Sequence, residues 1–181
     1  MASTQETMAT SQARMAISQA LLGEYDHEMA NTRKSIERFP EDKFDWKPHA
    51  KSMAMGRLAG HIAMIPGWAK MTLETKEFNM NPPGGQQVRP PELKTKAEIL
   101  AAFDQGVPAA RAAIAAASDE TLLQPWSLLN GEQTVFSLPR VAVLRSMILN
   151  HMIHHRAQLG VYLRMNDVPV PAVYGPSADE S

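Results

Sequence analysis

The chain contains no cysteine. Disulfides, thiolate metal ligands and a cysteine nucleophile are thereby excluded. Thiol chemistry would need a thiol from outside the protein, and a metal would have to rely on His, Asp or Glu. An excess of one charge is missing too: 18 Lys and Arg stand against 19 Asp and Glu, for a formal net charge of -1. That balance gives no reason to expect nucleic acid or an anionic membrane as partner. No stretch approaches the roughly 18 uninterrupted apolar residues of a transmembrane helix. The segment "MASTQETMATSQARMA" has no basic region followed by an apolar run. A secretory signal is therefore not expected, and a cytoplasmic location is the default.

What is present is an ordinary globular composition, 44% hydrophobic and 20% charged over 181 residues. That length suits one domain, residues 1–181, with a substantial core. The polar residues 1–12 are expected to fray. From about Arg14 to Arg38, Ile17, Leu21, Tyr25, Met29, Thr32 and Ile36 recur at steps of three and four. This predicts an amphipathic helix that Pro40 stops. "EDKFDWKPHAKS" reads as a connection, because Pro48 keeps Lys47 extended, with Phe44 and Trp46 pinning it to the helix ends.

Ser52 is placed as the cap of a second helix reaching about Lys76, with a stripe of Met55, Leu58, His61, Ile62, Ile65 and Ala69. Pro66 should kink or interrupt it. "FNMNPPGGQQVRPPEL" is a loop, and one so long implies a job or a crossing between helix ends. "TKAE" (95–98) matches a capping box that starts a third helix to about Ala117, in which Pro108 again threatens a kink. Its many alanines favour close helix approach. "SDETLLQ" is a short capped turn. Asn130-Gly131, between apolar runs, marks either a small hairpin or an ordered loop. Pro139 suits a first helical position, and the last long helix runs to Met165. "NDVPVPAVYGPSADES" is an extended tail. The expected fold class is all-α, a four-helix bundle with long connections.

The densest feature is "NHMIHHRAQL" (150–159). At about 100° per residue, His151 and His155 share the inward face with Leu144, Met147, Ile148, Gln158 and Tyr162. The i, i+4 spacing lets both rings converge on one point. His154 lies about 100° round and points elsewhere. His61 supplies a third inward ring from the second helix. Three imidazoles could be core histidines, each with its own hydrogen bonds. They could equally hold Zn, Ni or Fe as neutral donors, leaving positions open for water or substrate. The methionines read as core filler, and Trp46, Trp68 and Trp126 as packing residues of which one could wall a pocket. Arg156 and Arg164 read as solvated or paired. Glu24, Asp26, Glu28 and Arg33 read as an exposed face, from which a carboxylate could orient a ligand or act as general base.

Three stretches carry a family resemblance: "FDWKPHAKSMAMGRLAGHIAMI" (44–65), "NHMIHHRAQLGVYLR" (150–164) and "VPVPAVYGPSADE" (168–180). In this order they resemble the DinB/YfiT-like superfamily. The combination of Trp-x-Pro, the helix-two histidine and "HxxHHRxQL" is more specific than the histidine spacing. The resemblance implies an up-down-down-up four-helix bundle, often a homodimer. It implies a divalent metal on three histidines, matching His61, His151 and His155 and leaving out His154. Characterised members are transferases and isomerases dependent on bacillithiol, mycothiol or glutathione. Others are described as metal-dependent hydrolases. The expected function is therefore a metal-dependent enzyme activating a low-molecular-weight thiol or water on a small-molecule substrate. The alternative is a non-catalytic, dimeric, stress-associated metal-binding protein. No general base is implied, and Asn150 receives no role.

Overall fold

In the computed structural model, which describes residues 15–180, the first element is α1 (Ile17–Glu37). Leu21, Tyr25, Met29, Thr32 and Ile36 are buried along one face, as their spacing predicts. Arg14 and the segment 1–12 lie outside the described residues. After α1 a 3-10 turn, Glu41–Lys43, leads into the connection. Phe44 meets Phe39 edge-on at 5.9 Å, and Trp46 meets Tyr162 edge-on at 5.5 Å. These contacts hold the connection against the helix ends.

The second helix, α2 (Met55–Glu74), starts later than a Ser52 cap would place it. Its N-cap is Ala54, without a side-chain bond. The amides of Met55 and Gly56 donate to the carbonyls of Trp46 and Phe44, each at 2.9 Å. Folded-back backbone thus satisfies donors that a serine would otherwise cap. Gly56 is needed there, because a Cβ would fall 2.5 Å from the Phe44 ring. The third helix, α3 (Lys96–Ala116), opens on the predicted capping box: Glu98 N donates to Thr95 Oγ1 at 3.1 Å, and Thr95 N to Glu98 Oε2 at 3.2 Å. Neither Pro66 nor Pro108 interrupts its helix. A Cβ on Gly106 would stand 3.4 Å from Pro66 Cβ. Close packing of α2 on α3 at that point offsets the missing backbone bond.

The all-α expectation needs correction: a three-stranded sheet accompanies the helices. After α4 (Asp119–Leu123), capped by Ser118, β2 (Pro125–Asn130) and β3 (Gln133–Pro139) form an antiparallel hairpin. Asn130 pairs with Gln133, so the turn is Gly131-Glu132, with Gly131 at φ +64. The third strand is β1 (Glu77–Asn79), overlapping the start of the stretch read as loop and pairing parallel with β2. Asn79 fixes it, donating from Nδ2 to Gly131 O at 2.8 Å and accepting from Gly131 N at 3.1 Å.

Pro139 is the last residue of β3, and the final helical segment follows it in three pieces. These are α5 (Arg140–Val143), a π-helical turn pair (Leu144–Asn150) and α6 (His151–Met165). The long helices pack α2 on α3, α1 on α3, and both α1 and α2 on α6. The molecule is mostly helical, and no described helix is long and apolar enough to cross a membrane.

Two buried arginines tie these parts together. Arg140 donates to the Thr72 and Thr75 carbonyls at 3.0 and 2.7 Å, closing the C-terminal end of α2, where a cation is favoured. Arg156 pairs with Glu28 at 2.7 Å. Glu28 was expected on an exposed face but is 4% exposed. The Tyr174 hydroxyl lies 2.8 Å from both carboxylate oxygens of Glu28 and accepts from Arg156 at 2.6 Å. Ion pairs Arg38–Glu180 and Arg164–Asp179 hold the rest of the tail.

Breaking a buried ion pair strands the remaining charge. Glu28→Ala should cost about 3–5 kcal/mol in urea unfolding. Loss of the Thr95 cap in Thr95→Ala should cost only about 1 kcal/mol.

Candidate metal centre

His61 stands on α2 between buried Leu58 and Ile62, with its own ring half-buried. His151 is the first residue of α6, directly after the π-helical turns, and His155 follows one turn later. Widened π turns recur at functional sites because they set side-chain direction locally. The ring centroids lie 5.1 Å (His61–His151), 4.7 Å (His61–His155) and 4.6 Å (His151–His155) apart. One nitrogen from each ring falls within 4.8 Å of the others. His154 is exposed, its ring 4.9 Å from His155. It stands outside the group, as its helical angle predicts.

Nε2 of His61 and Nε2 of His151 face each other at 3.2 Å. Metal–nitrogen bonds of about 2.0–2.1 Å at tetrahedral angles set two donors roughly 3.3–3.4 Å apart. His155 Nδ1 is 2.7 Å from Gln158 Oε1. An amide oxygen only accepts, so the proton sits on Nδ1 and the Nε2 lone pair is free. His151 Nδ1 is buried without a hydrogen-bond partner. The Met147 carbonyl favours the charged ring, yet stops short of a well-formed bond to it. The Nε2–Nε2 spacing of His61 and His151 and the free Nε2 lone pair of His155 therefore fit a shared cation.

Electrostatics agree. Burial first, then the neighbouring His155, His151 and Arg57, depress the His61 pKa to about 4. Burial also lowers His151 and His155, with His155 and His154 adding to the effect on the former. All three rings are neutral donors near pH 7. Trp68 packs edge-on or tilted against His61 at 5.6 Å and His151 at 5.7 Å. Among the described residues, no fourth His, Asp or Glu joins the group. The carboxylates of α1 are engaged elsewhere: Glu24 with Arg145, Asp26 with Arg111, and Glu28 with Arg156.

Beside the centre lies a cavity of about 800 Å³, whose walls include His61, Met64, Trp68, Phe44 and Arg57. Residues 87–93 of the proline-rich loop complete it. A second recess of about 460 Å³ lies between α6 and the tail, away from the three histidines.

The model of the DinB family matches residues 8–181. The chain belongs to the DinB family. Two solved DinB-like proteins share its fold. One, from Bacillus cereus, is 20% identical with a TM-score of 0.65, the match covering 88% of this chain and 98% of that one. YjoA from Bacillus subtilis is 17% identical with a TM-score of 0.63, covering 87% and 99%. A comparison with curated proteins found no match. In this DinB chain, sequence reasoning placed Gln158 on the inner face but missed its hold on His155. The signal was its position three residues on, one helical turn away. Of the three tryptophans read as packing residues of which one could wall a pocket, Trp68, two turns after His61, is the one that lines the cavity.

Depressed histidine pKa values link stability to pH. Between about 4 and the ordinary value near 6.5, the unfolded chain binds more protons than the folded one. Metal-free protein should hold this stability above about 6.5 and lose it as pH falls toward about 4. Its Tm should drop more steeply across that window than that of metal-free His61→Leu. Parallel curves would refute the burial of a neutral His61.

Proposed function

We propose that this DinB protein is a metal-dependent enzyme. His61, His151 and His155 would hold one divalent ion, Zn, Ni or Fe, and the substrate would be a small molecule. The observation that carries this reading is the meeting of three neutral imidazole nitrogens, with no fourth donor among the described residues, beside a large cavity whose wall includes one of the three rings, His61. A structural site closes its coordination with protein ligands, whereas a catalytic one keeps a position open. Bound there, the ion would supply Lewis acidity, lowering the pKa of a water or a low-molecular-weight thiol.

The chain's own residues set up that chemistry. Gln158 fixes the tautomer of His155 and leaves its Nε2 lone pair free. Trp68 covers the edges of His61 and His151 and keeps water from that side. The cavity admits substrate beside His61. The absence of cysteine permits an external thiol as nucleophile. The fold is proposed to be the up-down-down-up four-helix bundle of the family with a small sheet added, working as a cytoplasmic homodimer.

Metal analysis of protein purified without a histidine tag tests the centre. Wild type should carry about one divalent ion per chain, as expected for a single site of three ligands. His61→Ala and His151→Ala should each lose most of it. Equal metal in wild type and His61→Ala would sink the site as drawn. The metal-loaded protein should then be assayed with bacillithiol, mycothiol or glutathione and a generic electrophile. Turnover that needs no thiol would reject S-transfer in favour of hydrolysis.

A further inference from the structure

Most arginines of this protein have a partner. Arg33, Arg38, Arg111, Arg145, Arg156 and Arg164 pair with carboxylates. Arg140 is taken up by backbone carbonyls. The two described arginines that remain, Arg57 and Arg89, both line the cavity beside His61. Arg57 stands on α2 one turn before His61. No described residue gives its side chain a hydrogen bond or an ion pair. Arg89 comes from the proline-rich loop, where Gln87 Oε1 accepts from its Nε and Nη2 at 3.2 and 3.1 Å. A neutral amide orients that guanidinium without cancelling its charge.

The first turn of α2 strengthens the same field. Ala54, Gly56 and Arg57 line the cavity, and that turn contains no acidic residue. The positive end of the helix dipole therefore meets the cavity with no carboxylate in its own turn, its Met55 and Gly56 amides being taken by the Trp46 and Phe44 carbonyls. Two acids also border the space. Glu92 turns to Lys94 at 4.0 Å, and Asp45 belongs to the connection ahead of α2. Phe44, Met64 and Trp68 give the walls an apolar, aromatic character.

We propose that Arg57 and Arg89 form an anion clamp, and that the natural ligand of this cavity carries a carboxylate or phosphate on an apolar body that reaches His61. The clamp rests on the reading of the cavity as the substrate site, but it does not need the metal in order to bind. Arg57 and Arg89 hold and orient the ligand, and neither is one of the three nitrogen donors.

Metal-free protein is titrated by calorimetry with phenylacetate, phenylphosphate and neutral phenylacetamide. Using metal-free protein prevents an anion from binding through an ion. At least one anion should bind some fivefold or more tighter than the amide, and raising salt from about 0.05 to 0.5 M should erode that preference. The stronger of the two anions identifies the group recognised. Arg57→Gln and Arg89→Gln should each weaken anion binding several-fold, leaving the amide unchanged. Asp45→Asn should tighten it. Equal binding of all three probes, or a preference that survives the double arginine variant, would overturn the clamp. Failure of the metal centre shows separately, in the metal content of wild type and His61→Ala.

Discussion

Two imidazole nitrogens on different helices, 3.2 Å apart, set the tolerance of the whole structure. They meet only if α2 and the helix after β3 keep their register to within a fraction of an ångström. A slip of one residue would turn each ring about 100° away. The chain fixes the pair at both ends. At one end Arg140 donates to the last carbonyls of α2 from the first turn of the following helix. At the other, Trp46 stands against Tyr162, and the Phe44 and Trp46 carbonyls receive the first amides of α2. Gly56 is part of this arrangement, since any larger residue would push Phe44 off the helix. The sheet joins the same framework, because Trp126 on β2 donates to Thr75, just past the end of α2.

Adjacent residues of α6 serve opposite purposes. His155 turns toward α2 and the site, whereas Arg156, about 100° round, turns toward α1 and the tail. The buried Arg156–Glu28 pair with Tyr174 locks α6 against α1. A buried ion pair adds little net stability compared with a well-packed apolar substitute. Here its effect is geometric: a guanidinium committed to Glu28 O, Thr32 Oγ1 and Tyr174 leaves α6 one rotation about its axis. That rotation is the one that aims His151 and His155 at His61.

What could be read from the sequence was whatever depends on neighbours along one helix. The stripes of α1 and α2, the Thr95 capping box and the sharing of a face by His151 and His155 are all such cases. Three histidines could be brought together before any coordinates because each lay in an inward stripe. What escaped depends on partners far along the chain. Ser52 looked like a cap, but the α2 amides found carbonyls at Phe44 and Trp46. Glu28 looked solvated, since its partner Arg156 lies 128 residues on. A three-residue strand such as β1 is too short for a period of two to show, and prolines nearby argued for loop. The π turns before His151 left no trace either, because the apolar spacing of Leu144, Ile148 and His151 reads as ordinary helix.

The cluster poses an apparent contradiction: burial that rejects a proton should reject a doubly charged ion more strongly. The resolution lies in how the charge is shared. Protonating the rings one by one places separate cations within about 5 Å of each other, which is the mutual repulsion that adds to burial in lowering the His61 and His151 pKa values. One ion among three nitrogens would instead gain three bonds while only a single centre is desolvated, and rings already neutral would need to release no proton to accept it. Clustering therefore turns the same apolar surroundings into a bias against protons and toward a single shared cation. A cation held there would stand beside the cavity that His61 lines, and the apolar walls would strengthen its pull on whatever bound next to it.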